Sequence, residues 1–160
     1  MGLSLRAIRG GETELRQLAR LPGAFAALTL EGPAVLDLST SWRVLHGLFT
    51  GSAWGGASPA NLLLAGGQEL NAWVGAGPAR LVNASQTAAF AGFVSPLCPH
   101  ALRRQVDPRR AALTQFYQGD DTDRPTRVEL CAEVEDALPR LRAHLNEAAA
   151  LRQALLMWMV

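Results

Sequence analysis

The sequence predicts a single α/β domain in which a long C-terminal helix is followed by a buried terminal strand. Three observations carry this reading. Residues 2–8, GLSLRAI, alternate small or polar with apolar side chains, as a half-buried strand does. Thr126 to about Ala150 is the longest amphipathic run, with Val128, Cys131, Val134, Leu138, Leu141 and Leu145 on one helical face. The last residues, ALLMWMV, are apolar without a break and lack helical polarity, which marks a strand covered on both faces.

The 160 residues, 49% hydrophobic and 18% charged, fit one domain over 1–160 that buries about two thirds of its unfolded surface. No internal repeat or long linker divides it. A formal net charge of +1 gives no pull toward nucleic acid or an anionic membrane. The start, MGLSLRAIRGG, lacks an apolar signal core, and no apolar run approaches the roughly 20 residues that span a bilayer. A cytoplasmic protein is therefore expected. Cys98 and Cys131 form no CxxC pair, so reduced thiols are expected, and the sequon Asn83-Ala84-Ser85 has no role. All fifteen basic residues are arginine, which excludes Schiff-base lysine chemistry and a P-loop lysine; with the abundant alanine it suggests a GC-rich genome.

The elements follow in order. After the Gly10-Gly11 break, Glu12 to Arg20 carries Leu15 and Leu18 at helical spacing, and Pro22 is placed to open a second short helix. In LDLSTSWRVLHGLFTG, residues 36–51, Ser39 or Thr40 caps a helix that runs to about Thr50 and ends at Gly51 in a left-handed turn. Leu38, Trp42, Leu45 and Phe49 form its apolar stripe, and His46 falls at the edge. SAWGGAS is a loop anchored by Trp54. Ser58-Pro59 starts a short apolar turn stopped by Gly66-Gly67, and Gln68 to Val82 supplies strands joined near Gly75 to Pro78. Asn83 or Ser85 is placed to cap a helix through Phe90 and Phe93, Pro99 to start another through Arg104, and Asp107-Pro108 to cap a third through Phe116. Pro139 should kink or split the long C-terminal helix.

These blocks resemble the YfbM-like family of small bacterial proteins, a domain of unknown function. The resemblance rests on LDLSTSWRVLHGLFTG, Gly66-Gly67, GPARLV from Gly77 to Val82, Val106-Asp107-Pro108, and the long helix before the apolar terminal strand. It implies a compact α/β domain with a small mixed sheet flanked by helices, and it implies no activity. This chain departs from the family in three places: Ser39-Thr40-Ser41 where a lysine precedes the tryptophan, Ala76 where a tyrosine precedes Gly-Pro-Ala, and Phe116-Tyr117-Gln118 where an Ile-Tyr-Pro element stands.

The chemical candidates are few. His46 beside Trp42 has the residue type of a general base or ligand contact, but no serine, cysteine or carboxylate is spaced to serve it. The preferred reading is a structural histidine, partly buried, packed near the indole and bonded through one nitrogen to a carbonyl or hydroxyl. Cys98-Pro99-His100 offers two ligands where zinc needs three or four, with Cys131 and His144 on another helix. Asp120, Asp121 and Asp123 lack the glycine and glutamate of a calcium loop. Gly75 to Arg80 lacks the third glycine of a dinucleotide fingerprint, and Arg103, Arg104, Arg109 and Arg110 read as a solvated face. No metal and no cofactor is expected.

Two classes of function follow. One is a non-catalytic binding or protein-interaction module, for example of the immunity type, with a protein partner and neither nucleic acid nor membrane. The other is a small-molecule site, enzymatic or not, lined by Trp42, His46, Thr50, Trp54 and Arg80. Since the cysteines and histidines lack ligand spacing, chelator and dithiothreitol should leave the melting temperature unchanged; a stoichiometric metal in the purified protein would overturn this.

Overall fold

The last strand of the chain lies in the middle of the sheet. In the computed structural model, which describes residues 2–21, 23, 34–117 and 124–160, the strands are β1 (Leu5–Gly10), β2 (Val35–Asp37), β3 (Gln68–Val74), β4 (Gly77–Val82) and β5 (Ala154–Met159). The helices are α1 (Glu12–Arg20), α2 (Trp42–Thr50), α3 (Ala84–Val94), α4 (Pro99–Gln105), α5 (Arg110–Thr114) and α6 (Arg127–Ala150), with a short 3-10 turn at Ala60–Leu63. The sheet order is β2-β1-β5-β4-β3.

β5 pairs with β1 from Leu5↔Met159 to Gly10↔Ala154 and with β4 from Arg80↔Met157 to Val82↔Leu155. It therefore has neighbours on both sides, as its continuous apolarity requires. Its side chains alternate between two cores. Leu155 and Met157 face the larger one, with Leu5, Ala7 and Val82 and the buried residues of α2, α3 and α6. Ala154, Leu156 and Trp158 face the smaller one, with Ala79, Leu81 and Leu15 of α1. Helices thus flank both faces of the sheet.

Several expectations need adjustment. The ladders are antiparallel throughout; the mixing implied by the family resemblance is limited to an isolated parallel bridge, Gly75↔Met159. The first strand starts at Leu5 rather than residue 2, although Ser4 still exchanges main-chain bonds with Val160. Ser41, not Ser39 or Thr40, precedes α2, and its side chain makes no capping bond. Gly51 does close that helix in the left-handed region, at φ 71°. The helix opened by Pro22 lies outside the described residues.

Asp107 does not cap α5, which starts after Arg109; its carboxylate instead accepts from Arg127 Nε at 2.9 Å. Asn83 and Thr126 begin α3 and α6 through full capping boxes with Gln86 and Glu129. α6 runs through Pro139 without splitting, and the proline sits on the exposed face, where the carbonyl it leaves unbonded can be hydrated. Val128 is 76% exposed while Leu130 is buried. The core stripe of α6 is Leu130, Val134, Ala137, Leu138, Leu141 and Leu145, and Val128 falls about 130° from its centre at 100° per residue.

Removing residues 154–160 should abolish folding, because both cores would lose a wall at once. Leu156→Ala should cost about 2–5 kcal/mol, read as a shift in the urea midpoint; a variant with an unchanged midpoint would contradict the interior placement of β5.

Candidate functional site

α2 is buried nearly all round, from Trp42 and from Val44 to Phe49. Three contacts explain why. A Cβ on Gly47 would lie 2.5 Å from Leu113 Cδ2, so glycine lets the Leu113 side chain pack directly on α2, and any larger residue would require that side chain to shift. Arg109 donates to the carbonyl of Leu48, satisfying a C-terminal acceptor of the helix. The glycine-rich loop after Gly51 then folds back: Thr50 Oγ1 lies 2.8 Å from the His46 carbonyl and 2.9 Å from that of Ser52, and accepts from Ser52 N at 3.1 Å.

His46 is consequently sealed, at 0% exposure. The edge-of-stripe position suggested partial burial and a hydrogen bond. Instead, neither ring nitrogen has a partner of ordinary hydrogen-bond geometry among the described residues. Burial pushes its pKa from the usual 6.5 down to about 4; the Gly55 main chain raises it in part and the Arg80 charge lowers it further. The imidazole is neutral at physiological pH. With no carboxylate or nucleophile bonded to it, it has no partner for acid–base relay.

The other candidate residues surround it unevenly. Trp42 is buried and donates through Nε1 to the Leu3 carbonyl at 2.8 Å. Trp54 is 62% exposed. Phe116 joins the two, edge-to-face with Trp42 at 5.4 Å and with Trp54 at 4.8 Å, a link that sequence spacing gives no way to see. Arg80 points into the 3-10 segment and donates to the carbonyls of Leu63 (2.7 Å) and Gly66 (2.9 Å), with Leu62 at 3.4 Å. Burial lowers its pKa to about 10 against the opposing pull of Glu69. Its donors are spent on main-chain carbonyls, so its visible role is to fasten this turn to β4.

A second cluster escaped sequence reasoning because its members come from three distant segments. Arg43 lies over the rings of Trp42 (5.8 Å) and Tyr117 (5.6 Å). Beside it, burial raises the pKa of Tyr117 and of Glu133, the latter opposed by its bond to Ser41 and by the Arg43 charge. The remaining sequence candidates are dispersed. Cys98 is exposed and Cys131 buried. Among the described residues no group of three His, Cys, Asp or Glu is placed to hold a metal, and Asp120, Asp121 and Asp123 lie outside them. Arg103 pairs with Glu135 while Arg109 turns inward, so the basic run does not form one face. Gly75 and Ala76 make the hairpin turn between β3 and β4, and Gly77 and Pro78 already belong to β4. No helix among the described residues is long and apolar enough to cross a membrane.

His144 on α6 is the second buried histidine, its pKa lowered to about 4 by burial and by the charge of Arg9. Both rings are held neutral in the fold, whereas an unfolded histidine protonates near 6.5. Between those values the unfolded chain binds more protons, so stability should fall as pH drops from 6.5 to about 4 and this contribution should level off below. The slope is roughly 1.4 kcal/mol per pH unit for each ring. Urea melts at pH 7, 5.5 and 4.5 should follow this course, and His46→Leu or His144→Leu should each flatten it; equal slopes in the wild type and both variants would contradict it.

The family described as a domain of unknown function, DUF1877, matches residues 5–158, so the chain belongs to that family. A solved structure titled as a protein of unknown function, YfbM from Escherichia coli, aligns with 99% of this chain and 100% of its own at 21% identity and a TM-score of 0.68; this is a likeness of fold. No curated protein matches the sequence.

Proposed function

We propose that this member of the DUF1877 family is a non-catalytic protein-interaction module of the bacterial cytoplasm, of the kind that binds one protein partner as an immunity protein does. The observation that carries the reading is Trp73, which is 78% exposed on β3, an edge strand of the sheet. Tryptophan is a common anchor of protein interfaces, where it fills a pocket on the partner. The same strand exposes Gln68, Glu69 and Asn71. A polar rim around an aromatic anchor is the usual make-up of a separable interface.

Placing a photo-crosslinking benzoylphenylalanine at position 73 and irradiating the host cells should yield a discrete adduct with one other protein. Trp73→Ser should abolish association with that protein while moving the melting temperature by no more than about 2 °C, since exposed substitutions typically change stability by less than 0.5 kcal/mol. Irradiation without any adduct, or an unaffected complex in Trp73→Ser, would refute the reading.

A second reading is favoured by the His46 imidazole, which has the Gly55 main chain beside it but no hydrogen bond of ordinary geometry among the described residues. Buried polar atoms are nearly always well bonded, so an opening of the 52–57 loop that admits a small molecule to His46, between Trp42, Thr50, Trp54 and Arg80, would supply a fuller partner. Native mass spectrometry of protein isolated from its host should then find a retained small molecule in the wild type and not in His46→Leu. An identical mass in both would dismiss this site.

A further inference from the structure

We infer that the groove between α1 and β3 takes an extended segment of a partner protein, added to β3 as a sixth strand and carrying an acidic side chain toward Arg20. This rests on the protein-interaction reading and specifies its partner.

Among the described residues β3 is bonded to β4 on one side only. It is seven residues long, whereas the opposite edge, β2, has three, so among the described residues β3 is the longer main-chain edge without a second neighbour. A cavity of about 410 Å³ runs along it, and five consecutive residues of the strand, 68–72, line that cavity. Its opposite wall is the α1 face bearing Arg16, Ala19 and Arg20. Such a cleft, with strand edge on one wall and side chains on the other, has the form used in strand addition, where main-chain bonds give affinity and alternate side chains give specificity.

The charge of the cleft selects the occupant. Arg16 is already held, by Glu12 at 3.0 Å and by Gln68 at 2.7 Å. Arg20, exposed in the last turn of α1, has no hydrogen bond or ion pair with the described residues. Glu69 also borders the cleft, but across the sheet it is paired with Arg80, on which its charge acts. Among the described residues the Arg20 guanidinium therefore faces the cleft without a partner, and a carboxylate is the group it complements.

The register divides the occupant's side chains. Ala79 and Leu81 of β4 face α1, so Trp73, paired with Pro78, points to the opposite face. Between Glu69↔Arg80 and Trp73↔Pro78 the strand advances four residues against two of β4. This bulge bends β3 at the cleft. An added strand would send alternate residues toward Arg20 and toward Trp73, acidic on one side and apolar on the other.

The test is selection of random twelve-residue peptides displayed on phage against the purified full chain. Recovered binders should alternate Asp or Glu with apolar residues, and in hydrogen exchange the chosen peptide should protect the amides of 68–74. Arg20→Glu should weaken it at least tenfold, and replacing the peptide's acidic residue by arginine should restore binding to that variant. Both changes are on exposed side chains, and melts verify that the variant is folded. No enrichment, binders without an acidic residue, binding indifferent to Arg20→Glu, or protection elsewhere would overturn the inference. A crosslink at position 73 without protection of 68–74 by any binder would defeat strand addition alone, whereas loss of the crosslink itself would defeat the interaction reading.

Discussion

The pairing of β5 between β1 and β4 is the constraint on which the rest of the molecule depends. The first and last strands are neighbours, so the sheet is whole only when the C-terminal residues are in place. Each side chain of Ala154 to Trp158 closes one core or the other, and a fully buried Leu or Met contributes roughly 1.5–3 kcal/mol. Without this strand the β3–β4 hairpin and the β1–β2 pair would be separate two-stranded units, which are marginal alone in water.

The central helix α2 depends on that arrangement in turn. It is held by Arg109 at its C-terminal end, by the Gly47 contact with Leu113 and by the loop folded over Thr50. Burial on every side leaves His46 no route to water, and desolvation outweighs the Gly55 main chain in setting its charge. The Trp-x-x-Leu-His-x-x-x-Thr-Gly block that looks most like a site is thus mainly the interior of the domain. The exposed aromatic residues, Trp54 and Trp73, sit in a loop and on a sheet edge, where side chains are free to meet a partner.

Local rules worked where the determinants are local. α1 begins and ends as its spacing implies; Asn83 and Thr126 cap their helices because each has its reciprocal Gln or Glu three residues on. Gly51 takes the left-handed conformation that ends α2. The same rules misjudged Asp107, whose carboxylate found Arg127 twenty residues away, and Val128, whose apolar side chain suggested a core position that the helix's rotation denies it. A cap or a stripe read from spacing assumes that nothing distant competes.

By itself the sequence determined that the chain is one α/β domain, that its long helix runs from Thr126, that its last strand is interior and that lysine-dependent chemistry is absent. Those properties follow from composition, capping and periodicity, which are written over a few neighbouring residues. Only the tertiary structure decided the strand order, the sealing of His46, the link from Trp42 through Phe116 to Trp54 and the exposure of Trp73. Burial and pKa are set by whatever packs from elsewhere in the chain, and α5, the loop after Gly51 and β4 reach the same helix from positions that no spacing along the sequence connects.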